Sequence, residues 1–141
     1  MSGNGLRFLR QVVEAGTKCR GFESILDKVK VVSGGNGKMV CEMTVTEDHQ
    51  NRLGTLHGGM TAALVDAVST WALLTSERQV AGVSVEMNIS YMKAAKVGED
   101  ILIEANSVKV GKTLAFLNVD IKKKSDGALL AQGKHTKFIG S

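Results

Sequence analysis

The sequence predicts an α+β fold in which an antiparallel six-stranded sheet wraps round one long central helix. Residues 56–76 carry apolar side chains in nearly every direction around a helix, so this helix must be buried on most sides. Six segments have the pattern of strands, and a helix roughly 30 Å long needs such a broad, curved sheet to cover it. The 141 residues, 43% hydrophobic and 23% charged, predict a single domain over 1–141.

The first element is a short amphipathic helix from Leu6 to about Lys18. Its apolar residues Leu6, Leu9 and Val12 recur at helical spacing, and glycines bracket its end. With the turn that follows, it makes an N-terminal helical segment over 1–27.

A hairpin follows, formed by strands at 28–33 and 38–46 and joined by the "GGNG" at 34–37. In its second strand Met39, Cys41 and Met43 alternate with more polar residues, which predicts one buried face. The glycines are not a dinucleotide fingerprint, because a strand follows them where that motif needs a helix.

Four more strands are predicted after the central helix, at 83–92, 100–110, 113–122 and 128–139. The "GKT" that begins at Gly111 resembles the end of a phosphate loop. Asn106 stands where that motif needs its first glycine, and a strand follows, so we interpret it as a hairpin turn.

Composition excludes several classes of function. The uncharged stretches on either side of Asp66 are well short of the roughly 20 apolar residues that span a bilayer. The net charge of +4 favours an anionic ligand, while one Trp and one Tyr offer little stacking surface for nucleic acid. Two unpaired-looking cysteines indicate a reducing compartment. We expect a cytoplasmic location, and the Arg-bearing amphipathic start also allows a mitochondrial one.

The start of the central helix has the features of an oxyanion site. Gly58 and Gly59 stand where the first-turn N–H groups are unpaired, and the helix dipole favours negative charge there. The alternative is that these glycines only make a tight turn into the helix.

Asp66 lies in the middle of the same helix between apolar neighbours. A carboxylate is expensive to bury unless it is paired, hydrogen-bonded or catalytic, so Asp66 is a candidate base. The alternative is a polar stripe of Asp66, Ser69 and Thr70 that faces water.

The histidines fit neither a serine-hydrolase triad nor a metal site. Ser84 lacks the second glycine of a nucleophile elbow and lies within a strand pattern, and His57 is nine residues from Asp66, roughly 13 Å along a helix axis. His49 and His135 are expected on the surface or on a strand face, and no metal-ligand spacing is present, so no metal and no cofactor are expected. A group of lysines suits a ligand with several phosphates such as coenzyme A, although each alone is an ordinary solvated residue; the group comprises Lys93, Lys96, Lys109, Lys112, Lys134 and Lys137.

The motif "NxxGxxHGG" at 51–59, followed by "TAALVD", "VSVEMNISYM" and "GEDILIEA", resembles the hotdog-fold acyl-CoA thioesterases of the phenylacetyl-CoA thioesterase type. This resemblance implies a hotdog fold, medium- to long-chain fatty acyl-CoA substrates, and a homotetramer of two hotdog dimers. It also implies that Asn51 and the Gly58 N–H polarise the thioester carbonyl, that Asp66 activates water positioned by Ser84, and that His57 lines the site. The coenzyme A contacts that it implies are Ser84, Glu86, Tyr91, Lys109, Val110, Gly111, Lys112, Thr113, Leu114 and Lys137.

Two other functions remain open on the sequence. A hotdog dehydratase would act on 3-hydroxyacyl thioesters and would use His57 with a carboxylate, whereas the helical aspartate favours hydrolysis. A non-enzymatic acyl-CoA binding module would need no buried carboxylate.

For hydrolysis, Gly58 and Asp66 are eight residues apart, roughly 12 Å along one helix. We therefore expect a dimer whose sites take residues from both chains.

Overall fold

The computed structural model describes residues 3–140, in which six strands form one antiparallel sheet beside two α-helices. Helix α1 spans Gly3–Thr17 and α2 spans Gly58–Leu74. The strands are β1 (Lys30–Gly35), β2 (Lys38–Thr44), β3 (Val83–Tyr91), β4 (Asp100–Val110), β5 (Leu114–Lys123) and β6 (Leu129–Phe138). Their order in the sheet is β1-β2-β4-β5-β6-β3, so β1 and β3 are its edges. The predicted α+β class is confirmed.

Helix α2 packs along the inner face of the sheet and supplies much of the core. Its buried apolar residues contact inward-facing side chains of the central strands; they are Met60, Leu64, Val65, Val68, Ala72 and Leu73. Gly133 of β6 permits this close approach, because a Cβ there would lie 2.6 Å from Cγ1 of Val65. The helix begins at Gly58, two residues later than predicted, because His57 caps it.

The β1–β2 hairpin turns at Asn36 and Gly37, whose φ angles of 54° and 80° are those of the turn that suits a two-residue hairpin. Met39, Cys41 and Met43 of β2 face the core, as predicted. Strand β2 ends at Thr44 rather than at 46, because Thr46 caps a short 3-10 helix at Glu47–His49.

Helix α1 packs against β1 through the buried Leu9 and Val13, and the Arg10 guanidinium donates a hydrogen bond to the Val31 carbonyl at 3.3 Å. The predicted amphipathic helix is therefore present, and it begins at Gly3. The first two residues of the predicted N-terminal segment lie outside the described residues, and a 3-10 helix at Phe22–Leu26 ends it. Within residues 3–140, no helix is both long and apolar enough to cross a bilayer.

Strand β3 is an edge strand exposed on both of its faces. Eight of its nine residues are exposed, among them the apolar Val83, Val85 and Met87. A long apolar edge of this kind is a surface on which another strand can pair.

Candidate active site

The first turn of α2 presents an open backbone donor. His57 is the N-cap, and its Nδ1 accepts a hydrogen bond from the Gly59 N–H at 2.8 Å. Among residues 3–140, no group accepts a hydrogen bond from the Gly58 N–H. Because helix N-termini carry positive partial charge, this N–H can receive an oxyanion. The His57 ring itself is engaged in capping, which gives it a structural role that the sequence did not indicate.

Tyr91, at the end of β3, lies against this helix start. Its hydroxyl donates to the Gly58 carbonyl at 2.9 Å, and a Cβ at Gly58 would lie 3.5 Å from the ring. The resemblance assigns Tyr91 to coenzyme A. Its position beside Gly58 puts it at the end of the site where the thioester is expected.

Asn51 holds the loop that leads into α2. Its Oδ1 accepts from the N–H groups of Leu53 at 2.8 Å and Thr55 at 3.2 Å, and its Nδ2 donates to Thr55 Oγ1 at 2.8 Å. An amide nitrogen carries two hydrogens, so Asn51 keeps a second N–H for a ligand.

Asn51, Gly58 and Tyr91 line one cavity of about 370 Å³. The rest of its lining is largely apolar and comprises Thr55, Leu56, Thr61, Met92, Lys93, Ala94, Ala95, Ile121, Leu130 and Ala131. An apolar cavity with a few convergent donors is suited to an acyl group with a polar head.

Asp66 belongs to a second polar group two turns further along α2. Its side chain is 55% exposed, so the expectation of a buried carboxylate is wrong for this chain. The alternative of a stripe facing water is also wrong in part, because Ser69 is fully buried against β6. The carboxylate Oδ1 lies 4.0 Å from Nε2 of His135.

Two hydrogen-bond chains lead to the main-chain carbonyl of Asp66, one from Ser84 of β3 through His135 and one from Lys137 of β6. In the first, Ser84 meets Nε2 of His135 at 2.7 Å, Nδ1 of the ring meets Ser69 Oγ at 2.8 Å, and Ser69 donates to the carbonyl at 3.1 Å. In the second, Lys137 Nζ donates to Thr70 Oγ1 at 2.6 Å, which donates to the same carbonyl at 2.8 Å. We call these residues, Asp66, Ser69, Thr70, Ser84, His135 and Lys137, the Asp66 cluster.

Burial shifts the titration of the two basic members of this cluster. It lowers the pKa of His135 below its usual value of 6.5, with the nearby Asp66 carboxylate acting in the opposite direction and Lys137 adding to the decrease. Burial also lowers the pKa of the Lys137 ammonium, again opposed by Asp66. His135 is therefore a neutral ring at neutral pH.

Neither His135 nor His49 lies at the surface. His135 is 1% exposed and lies on the inward face of β6, so the strand-face expectation holds for it and the surface expectation does not. His49 is buried in its 3-10 helix, where its Nδ1 accepts from the Thr46 N–H at 3.0 Å, and burial lowers its pKa.

A β-bulge in β3 separates Ser84 from Glu86. Ser84 pairs with Lys137 and Glu86 pairs with Thr136, two neighbours that point to opposite faces of β6. Ser84 thus joins the Asp66 cluster, whereas Glu86 lies on the outer face of the sheet.

The predicted coenzyme A contacts on the β4–β5 hairpin are mostly at the surface. Lys109, Lys112, Thr113 and Leu114 are exposed, and Arg78 donates to the carbonyls of Gly111 and Lys112. Lys137 differs from them, because it is 4% exposed and its ammonium faces α2. This placement does not favour a contact between Lys137 and a phosphate at the surface. Within residues 3–140, no three His, Cys, Asp or Glu side chains are grouped to bind a metal.

Sequence reasoning missed the role of His135 as the centre of the Asp66 cluster. Along β6 both sets of alternating residues mix apolar and polar side chains, so the sequence does not reveal which set faces inward. The usable signal was Gly133, two residues from His135, since a glycine in a strand often marks a close approach by another element.

Comparison with known proteins identifies the family. The model of the thioesterase superfamily matches residues 53–129, more than half of the chain, including all of α2. The chain belongs to the thioesterase superfamily. The resemblance to hotdog thioesterases is thereby confirmed, together with the fold that it implied.

Relatives in this superfamily match from about four fifths to nearly all of the chain. Acyl-coenzyme A thioesterase 13 of Homo sapiens is 57% identical over 133 residues, which cover 94% of this chain and 95% of that protein. The crystal structure of zebrafish thioesterase superfamily member 2 is 56% identical, with a TM-score of 0.94 over 96% of this chain and 98% of that chain. A Streptococcus pneumoniae hypothetical thioesterase, solved with coenzyme A, is 25% identical, with a TM-score of 0.74 over 79% of this chain and 87% of that chain.

Proposed function

We propose that this chain is an acyl-CoA thioesterase that hydrolyses medium- to long-chain fatty acyl-CoA to the free fatty acid and coenzyme A. The observation that carries the proposal is an open N–H at Gly58 and a carboxylate at Asp66 with Ser84 close by, all on a helix and strand of the thioesterase fold. The name of the human relative and the coenzyme A complex of the pneumococcal protein support the substrate class.

In the proposed reaction, Asp66 takes a proton from a water molecule held by Ser84 while the water oxygen bonds to the thioester carbon. The Gly58 N–H and the Asn51 amide stabilise the negative charge that develops on the carbonyl oxygen. The tetrahedral intermediate then breaks its C–S bond, and the thiolate of coenzyme A takes up the proton from Asp66. The products are a carboxylic acid and a thiol.

The proposed site needs a second copy of the chain. Gly58 and Asp66 are separated by roughly 12 Å along α2, so a carbonyl bound at one cannot meet water activated at the other in the same chain. A twofold dimer with antiparallel α2 helices would pair Gly58 of one chain with Asp66 of its partner. The exposed edge of β3 supports such a dimer, since it offers unpaired backbone groups and apolar side chains.

We further propose that two such dimers form a tetramer through the outer face of the sheet. Val83, Phe138 and Leu114 lie side by side there in adjacent strands, and all three are exposed. A patch of adjacent exposed apolar side chains is typical of a surface that another subunit covers.

A single assay tests the proposed activity. Free thiol is measured after the purified protein is mixed with acyl-CoAs of increasing chain length, and dehydration of a 3-hydroxyacyl-CoA is followed in parallel. We expect thiol release that increases with chain length from acetyl to medium and long chains. Dehydration without thiol release would indicate the hotdog dehydratase, and tight binding with neither reaction would indicate the non-enzymatic binding module.

A further inference from the structure

We propose that His135 is a positioning residue for hydrolysis, which fixes the direction of the Ser84 hydroxyl and exchanges no proton with the substrate. The inference rests on the proposed thioesterase function and gives a role to the most buried ionisable group of the Asp66 cluster. Its geometric basis is the first hydrogen-bond chain described above.

The hydrogen bond from Ser69 to the Asp66 carbonyl sets the direction of the other two hydrogen bonds in that chain. We assign the only hydroxyl hydrogen of Ser69 to the Asp66 carbonyl at 3.1 Å, and Ser69 Oγ then accepts from the Nδ1–H of His135 at 2.8 Å. A neutral imidazole that donates from one nitrogen accepts at the other. Nε2 is therefore an acceptor, and Ser84 donates to it at 2.7 Å.

This direction determines what Ser84 can do for the water. Because its hydrogen points at the ring, Ser84 Oγ can only accept from a water molecule. That water gives one hydrogen to Ser84 and the other to an Asp66 carboxylate, which leaves its lone pair free to attack the thioester carbon. Without the ring, Ser84 can donate to the Asp66 carboxylate instead and so occupy the base.

Burial favours the neutral ring, and it outweighs the nearby Asp66 carboxylate, which favours the charged form. The charged groups near it are Asp66 on α2, 4.0 Å from Nε2, and Lys137 on β6. From β3 and β5 its paired neighbours are Met87 and Leu117, which carry no charge. When acid protonates the ring, both nitrogens donate and Ser84 must accept from Nε2, so the hydroxyl can no longer be held in the productive direction.

The arrangement is unlike a serine nucleophile with its histidine base. In a catalytic triad the carboxylate holds the ring nitrogen that faces away from the serine. Here that nitrogen meets Ser69, and the Asp66 carboxylate lies on the same side of the ring as Ser84. We therefore expect no acyl group on Ser84.

A double-mutant cycle tests the link between His135 and Ser84. We expect His135→Phe and Ser84→Ala each to lower kcat about 5- to 50-fold, the range for one lost hydrogen bond, with KM within about twofold. The double variant should be no slower than Ser84→Ala alone, because the ring acts only through that hydroxyl. Losses that multiply in the double variant would overturn the inference.

Further variants separate positioning from stability. His135→Gln keeps an acceptor near Ser84 without a titrating ring, so it should retain more activity than His135→Phe. Its kcat should also fall less at acid pH than that of the wild-type protein. Ser69→Ala keeps the ring and removes the acceptor for its Nδ1–H. It should lower kcat in the wild-type background but not in the Ser84→Ala background. This variant tests the inference even if His135→Phe fails to fold. His49→Phe is the matched control, a buried histidine outside the cluster, and should lower the melting temperature without lowering kcat.

The wild-type rate keeps this test separate from that of the proposed function. If the wild-type protein releases no thiol from any acyl-CoA, the proposed function fails. If it does release thiol, multiplying losses, or an acyl group trapped on Ser84 and detected by mass, overturn the positioning role alone.

Discussion

Asp66, the proposed base, can be substituted with little effect on the fold. Its side chain is more than half exposed, so the exchange of one oxygen for an NH₂ group removes a base without leaving a cavity. We predict that Asp66→Asn keeps the melting temperature and the affinity for acyl-CoA and lowers kcat by roughly 100-fold or more. Steady-state kinetics and thermal unfolding measure both effects. Asp27→Asn, at another exposed aspartate, is the control, and an unchanged kcat for Asp66→Asn would remove Asp66 from the mechanism.

Lys109 and Lys112 are predicted to act on the phosphates of the substrate and not on its thioester. Both are exposed on the β4–β5 hairpin, where their charges are free to meet an anion. We expect Lys109→Glu and Lys112→Glu to raise KM for acyl-CoA, more so at low salt, and to leave the hydrolysis of the acyl-pantetheine ester unchanged. Lys28→Glu makes the same charge change at an exposed lysine elsewhere. Equal losses with both substrates would show that the two lysines are not phosphate contacts.

At the scale of one element, α2 meets its surroundings through two glycine contacts that should respond differently to the same substitution. A Cβ at Gly58 would lie 3.5 Å from Tyr91, an ordinary contact, whereas a Cβ at Gly133 would lie 2.6 Å from Val65. We predict that Gly58→Ala unfolds at the same or a higher temperature and yet loses activity, because the methyl group occupies the cavity at the open N–H. Gly133→Ala should unfold at a lower temperature. A Gly58→Ala protein with full activity would contradict the placement of the thioester carbonyl.

The elements of this fold were largely predictable, whereas the details of the site were predictable only in part. Apolar side chains all round α2 require burial on most sides, and alternating apolar side chains in β2 require one buried face. Both elements were therefore predicted from the sequence, and the structure contains both. The sequence left open whether Asp66 is buried or exposed, because an apolar neighbour in the sequence need not be a neighbour across the helix surface. His135 was not predictable either, since its partners Ser69 and Ser84 are 66 and 51 residues away in the chain.

At the scale of the whole molecule, the decisive prediction concerns two chains that share a site. Co-refolding equal amounts of Asn51→Ala and Asp66→Asn chains should produce about half mixed dimers, each with one intact and one doubly damaged site. Activity should return to roughly a quarter of the wild-type rate in such a statistical mixture. Thiol release measures the rate, and native mass spectrometry measures the fraction of mixed dimers.

The matched control is co-refolding of Asn51→Ala with Gly58→Ala chains. Both changes then lie in the same half of the proposed site, so no pairing restores an intact one. If mixed dimers of Asn51→Ala and Asp66→Asn form and remain inactive, the active site does not combine these residues from two chains.

The exposed β3 edge has a consequence for how the protein behaves as it is made and diluted. A newly folded chain carries a row of unpaired backbone donors and acceptors flanked by Val83, Val85 and Met87. In the proposed dimer a second copy covers this strand, and until it does, the strand can pair with any other free edge, including those of partly folded polypeptides. Specific activity per chain would then decline on dilution below the dimer dissociation constant, and soluble yield on refolding would depend on how quickly like chains meet.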